Sequence, residues 1–134
     1  MNLNLNHLNL VVADVAQMTG FFERFFAFRC LDRRGDALAV LQGQGQGDGV
    51  EGFLLVLMRP AAGESAGSDA PAYPASFHIG FYVDGEPAVR AKHAELRDAG
   101  LDVNDVKELH RAGATTVTFY CHAPGGLLVE VSSR

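Results

Sequence analysis

Polar and apolar residues alternate at the start of the chain, and the period then changes. Over residues 3–13, Leu8, Leu10 and Val12 fall on one face of an extended strand while His7, Asn9 and Val11 fall on the other. From Val15 the spacing lengthens: Val15, Met18, Phe22, Phe25 and Phe26 form the single stripe of an amphipathic helix, and Asp14, with Gln17 three residues on, has the pattern of an N-terminal cap. Apolar segments at residues 28–32, 37–42 and 53–59, separated by breakers that include the GQGQGDG run, read as three strands. The first half is therefore predicted to be βαβββ.

Residues 60–75, PAAGESAGSDAPAYPA, lack apolar periodicity and read as a linker. Alternation returns over residues 76–83, with His78, Gly80 and Tyr82 opposite Phe77, Ile79, Phe81 and Val83. A helix follows over residues 86–100, with Pro87 in its first turn and Gly100 at its end. Strands are predicted at residues 102–109, 114–121 and 127–132, the last two joined by an Ala-Pro-Gly-Gly turn. The second half repeats βαβββ. A shift of 71 residues places His7 on His78, Val12 on Val83, Met18 on Val89 and Phe25 on Leu96, which marks an internal repeat. The expected fold is α+β: one domain over residues 1–134, with module 1 at about 1–59, a linker at about 60–75 and module 2 at about 76–134.

Composition narrows the function. With 48% hydrophobic and 20% charged residues the chain can bury a core, although half of it, about 65 residues, would be marginal alone. A formal charge of −5, with 11 Lys and Arg scattered along the chain, provides no clustered basic surface, so nucleic acid is not expected as a partner. Two distant cysteines, Cys30 and Cys121, make neither a disulfide framework nor a metal clip and imply a reducing compartment. The first residues carry no basic segment or cleavage-site pattern, and no apolar run approaches membrane-spanning length; the expected location is the cytoplasm, with no membrane partner.

Aligning GFLLVLM with GLLVEV at their leading glycines sets Glu130 opposite Val56. A glutamate between Val129 and Val131 either lies near a strand end in water or, if buried, needs a paired charge or a metal. Each histidine alone is an ordinary polar strand residue. Together, two repeat-equivalent histidines and a glutamate on the final strand form a set of two imidazoles and one carboxylate, which suits Fe(II) and also serves Mn, Ni, Co or Zn.

Three segments, NHLNLVVADVAQMTGFFERFF, FHIGFYVD and FYCHAPGGLLVEVS, carry a resemblance that spans nearly the whole chain. The chain resembles the vicinal oxygen chelate superfamily, which includes glyoxalase I, bleomycin- and fosfomycin-resistance proteins and extradiol dioxygenases. The resemblance implies two βαβββ modules whose curled mixed sheets enclose a metal cavity, with one divalent metal per chain on His7, His78 and Glu130. It implies an enzyme whose small substrate chelates the metal through adjacent oxygens, in lyase, isomerase or ring-cleaving chemistry. The alternative is a metal-free protein that sequesters an antibiotic-like molecule. Many members pair as homodimers, and exposed sheet edges would favour this here.

Departures from the family pattern matter too. Glyoxalase I enzymes carry a fourth ligand where Val56 aligns, fosfomycin-resistance transferases a threonine where Asn9 stands, and methylmalonyl-CoA epimerases a polar ligand in the first module. Tyr120, ten residues before Glu130, matches a tyrosine that positions substrate in extradiol dioxygenases, so a catalytic role is expected for Tyr120 beside Glu130. The acid/base histidine of those enzymes would fall in the linker; His110 or Arg111 are its substitutes, against a reading as plain turn residues. Tyr82, Thr116, Thr118 and His122 alternate as cavity-lining or, by the simpler reading, solvent-facing strand residues. The phenylalanines of the first helix read as packing, and Cys121 as buried and inert.

Overall fold

The computed structural model describes residues 1–45, 51–60 and 73–134. Much of the glycine-rich run and most of the expected linker lie outside these residues. The chain divides into two compact units, Met1–Pro71 and Ala72–Arg134.

In the first unit β1 (His7–Val11) leads into α1 (Val15–Phe26), then β2 (Arg29–Arg34), β3 (Leu38–Gln42) and β4 (Leu54–Met58). Asp14 caps α1 as its position predicts: its backbone is extended and its carboxylate accepts from the Gln17 N–H at 2.9 Å. The helix stops where Ala27 turns left-handed, at φ 54°, and donates its N–H to the Phe22 carbonyl. Val15, Met18, Phe21, Phe22 and Phe25 are buried, and Phe22 meets Phe21 edge-on at 5.2 Å and Phe28 at 5.5 Å. These rings are packing, as their spacing predicts. They cover the sheet face formed by Ala39, Leu41, Leu55 and Leu57. The sheet order is β1-β4-β3-β2, with β1 parallel to β4 and the other pairs antiparallel.

The second unit repeats this plan with β5 (His78–Val83), α2 (Gly85–Asp98), β6 (Lys107–Arg111), β7 (Ala114–His122) and β8 (Leu128–Ser133), in the order β5-β8-β7-β6. Val89 and Leu96 of α2 pack with Phe119, Val129 and Val131, all fully buried. The turn into β8 uses Gly125 and Gly126 at φ 77° and 84°, a left-handed pair that suits glycine. Cys121 is buried; burial and the Asp102 carboxylate push its thiol up to about 11, so it stays protonated at neutral pH.

One predicted strand is corrected. Of residues 102–109 only the end joins β6, which runs Lys107–Arg111, while Val103 makes an isolated bridge to Cys121. The reason is Asn104, whose N–H donates to the Tyr120 carbonyl while its side-chain oxygen accepts from the Tyr120 N–H. A polar side chain thus occupies a ladder position that backbone would fill.

The registers show that the repeat is structural. In the first unit Asn9, two residues past His7, pairs with Val56, which pairs with Val40. In the second, Gly80, two residues past His78, pairs with Glu130, which pairs with Tyr120. Glu130 is therefore the counterpart of Val56, as the glycine-anchored alignment has it. Among the described residues no helix is long and apolar enough to cross a membrane.

Phe22 has no exposed surface, so Phe22→Ala is expected to cost about 3–5 kcal/mol, read as a lower urea midpoint at unchanged slope. A cost below about 1 kcal/mol would show that this ring does not hold the first core.

Candidate metal centre

The period of a strand puts alternate residues on one face, and α2 covers only one face of the second sheet. The other face carries His78, Gly80 and Tyr82 from β5, Glu130 and Ser132 from β8, and Thr116, Thr118 and Tyr120 from β7.

Glu130 is buried, with 7% of its surface exposed, and each of its oxygens has a different role. Oε1 lies 2.9 Å from both the Thr118 and the Ser132 hydroxyls, which donate to it. Oε2 lies 3.2 Å from His78 Nε2. His78 Nδ1 is 2.9 Å from the Ser76 carbonyl, which can only accept, so Nδ1 carries a proton. Two arrangements then satisfy the pair: a second proton on Nε2, giving an ion pair, or a cation shared by Nε2 and Oε2.

The donor atoms fit a shared ion. Ligand atoms about 2.1 Å from a metal, at right-angled to tetrahedral geometry, stand about 3.0–3.4 Å apart. The observed 3.2 Å separation lies within that bite. The bond from Nδ1 to a backbone carbonyl is the outer support that orients a metal-bound histidine. Burial pushes the Glu130 carboxyl up, but the hydroxyls of Ser132 and Thr118 and the charges of His78 and Arg111 outweigh it and hold the group below its ordinary range. The site offers an anion for a cation to bind.

Gly80 keeps the neighbouring strand bare: a Cβ there would sit 3.8 Å from Glu130 Oε2. Tyr120, directly across the ladder from Glu130, sets its ring edge-on to His78, with centroids 5.6 Å apart at 87°. A cavity of about 290 Å³ opens on this face, lined by Gly80, Phe81, Tyr82, Arg111, Thr116, Glu130 and Ser132.

His78, Glu130 and Tyr120 are thus brought together within the second unit. His7 belongs to the first, exposed at the start of β1, with Nδ1 2.6 Å from the Asn6 side-chain oxygen and Nε2 left as the outward nitrogen. Among the described residues no group of three His, Cys, Asp or Glu side chains that would hold a metal ion is assembled.

The solvent-facing reading of Thr118 is corrected: it is 2% exposed and bonds to Glu130, because a buried carboxylate needs donors beneath it. Ser132 escaped attention altogether, and the only sequence signal for it is a hydroxyl two residues from a buried glutamate on the same face. Thr116 and Tyr82 line the cavity, whereas His122 pairs with Asp102 at 3.2 Å and His110 bonds to the Thr115 hydroxyl at 2.9 Å.

The family model for the glyoxalase/bleomycin resistance protein/dioxygenase superfamily matches residues 4–131, and the chain belongs to that superfamily. Among solved structures it is similar to a possible glyoxalase from Bacillus cereus, with 36% identity over 97% of this chain and 98% of the other and a TM-score of 0.73. It shares its fold with lactoylglutathione lyase from Agrobacterium tumefaciens, at 17% identity, 98% and 94% coverage and a TM-score of 0.68. It does so too with the fosfomycin resistance protein FosX from Listeria monocytogenes, at 15% identity, 100% and 95% coverage and a TM-score of 0.70. A search of curated proteins found no match.

Because the folded state lowers the Glu130 pKa, the ionised carboxylate stabilises the fold above the ordinary carboxyl range, and that contribution is lost as pH falls through the folded value. Thr118→Val removes one of the lowering hydrogen bonds, so the acid-side loss should begin at higher pH and the fold should be less stable near neutrality. Urea unfolding across the acid range measures this; the same pH dependence in both proteins would show that Thr118 does not hold the charge.

Proposed function

We propose that this protein is a divalent-metal-dependent enzyme with glyoxalase- or dioxygenase-like chemistry, acting on a small substrate that presents two adjacent oxygens. The observation that supports it most is the His78–Glu130 pair, in which one atom of each side chain is bonded to the protein and the other is turned to its partner. His7 is the third ligand in this reading, its Nδ1 engaged by Asn6 much as His78 Nδ1 is engaged by Ser76. Fe, Mn, Ni, Co and Zn all suit this donor set.

A divalent ion on these residues supplies Lewis-acid stabilisation of an enolate, catecholate or similar oxyanion. The side chains do the rest. Thr118 and Ser132 fix the direction of Glu130 and keep it ionised, so the site needs little reorganisation when substrate arrives. Tyr120, in contact with His78, makes no hydroxyl hydrogen bond among the described residues and is free to donate to a substrate oxygen as negative charge builds there. The cavity volume of about 290 Å³ suits a small metabolite.

Chains reconstituted anaerobically with Fe(II), and separately with Zn(II), should hold one ion each by elemental analysis. His78→Ala should lose the ion with its circular dichroism spectrum unchanged. Reconstituted wild type without metal would overturn the enzyme reading in favour of a metal-free small-molecule binder. Tyr120→Phe should keep the metal yet bind catechol about tenfold more weakly, the equivalent of one charge-assisted hydrogen bond. Equal affinities would return Tyr120 to a packing role.

A further inference from the structure

The cavity contains a cation whose hydrogen-bond donors the metal reading leaves unused. Arg111 closes β6 and lines the same cavity as Glu130, on which its charge acts, yet its guanidinium makes no hydrogen bond or ion pair among the described residues. This sets it apart from Arg29, Arg33, Arg34, Arg59, Arg90 and Arg97, each of which meets an oxygen. Glu130 is the carboxylate of the cavity, but Thr118, Ser132 and His78 engage its two oxygens. The guanidinium therefore keeps its donors for something else.

The base of Arg111 is also held firmly. It pairs with Ala114 across a two-residue hairpin whose central residues, Ala112 and Gly113, have φ of 49° and 77°. Both values are positive, which is the type I′ geometry that matches strand twist and makes a tight, defined connection. A non-glycine residue held left-handed at Ala112 is a local cost that this hairpin bears. The cavity that Arg111 lines is also bordered by Thr116, Ser132 and Tyr82, which carry hydroxyls. With a metal cation on Glu130, the cavity would carry two positive groups, the ion and the Arg111 guanidinium, whose charge already acts on Glu130.

We infer that Arg111 is a specificity-determining residue that selects small substrates bearing a carboxylate or similar oxyanion in addition to the chelating oxygens. A planar guanidinium with free donors matches such a group in a forked pair of hydrogen bonds. A cavity of about 290 Å³ has room for a small substrate that carries both groups. This inference rests on the metal site proposed above, and its test separates the two.

The probes are acetohydroxamate and succinic monohydroxamate, which share one chelating end; the second adds a carboxylate on a short chain. Each is titrated calorimetrically into Zn(II)-loaded full-length protein whose metal content has been measured. Wild type should prefer the carboxylate-bearing probe by about tenfold or more, the scale of a charge-assisted contact. Arg111→Gln, loaded to the same measured metal content, should bind the two probes equally. Arg111→Lys should retain part of the preference, because a point charge lacks the fork. Equal binding of the two probes by wild type, or a preference that survives Arg111→Gln, overturns the inference and leaves the metal site standing. Absence of both metal and acetohydroxamate binding overturns the metal reading and this inference with it.

Discussion

A carboxylate buried between Val129 and Val131 is the constraint around which the second unit is organised. An isolated ionised carboxylate in such a place is strongly disfavoured, and a fold that keeps it must surround it with donors and positive charge. The neighbouring choices follow from that need. Thr118 and Ser132 place hydroxyls against one oxygen, His78 faces the other, and Ser76 turns the imidazole by accepting from its far nitrogen. Gly80 leaves the carboxylate uncovered on the β5 side.

The first unit shows what the same architecture does without the charge. One row of its sheet reads Asn9–Val56–Val40 where the second reads Gly80–Glu130–Tyr120. Val56 needs no donors, and the open face around it carries Val11, Leu38, Val40 and Leu54, all half-buried. The two units keep helix, sheet order and histidine in register and differ in the chemistry of neighbouring rows, since Val11–Met58–Leu38 of the first is replaced by Tyr82–Ser132–Thr118 in the second.

The elements were legible in the chain because each rests on local physics: the Asp14 cap, the phenylalanine stripe, and the alternation that turns His7 and His78 to the face opposite the helix. The equivalence of Val56 and Glu130 was legible for the same reason, since a strand register is carried by period and by the glycines that precede it. What escaped was made by contacts remote in sequence. Asn104 took over ladder positions beside Tyr120 and shortened β6, and a period-two pattern cannot register a side chain that substitutes for backbone. Thr118 looked like a residue facing water because alternation reports which face it occupies and not what stands beside it. Arg111 looked like a turn residue because its link to the cavity is made by the fold of the hairpin.

The central claim is that His78 Nε2 offers a lone pair, with Glu130, to one divalent ion. The most direct test is the long-range proton–nitrogen spectrum of the His78 ring during titration with diamagnetic Zn(II) at neutral pH. The account predicts a shift of Nε2, with displacement of any proton it shares with Glu130, that saturates at one equivalent of Zn(II). A ring protonated on both nitrogens and unmoved by Zn(II) would show that His78 and Glu130 form an ion pair and nothing more.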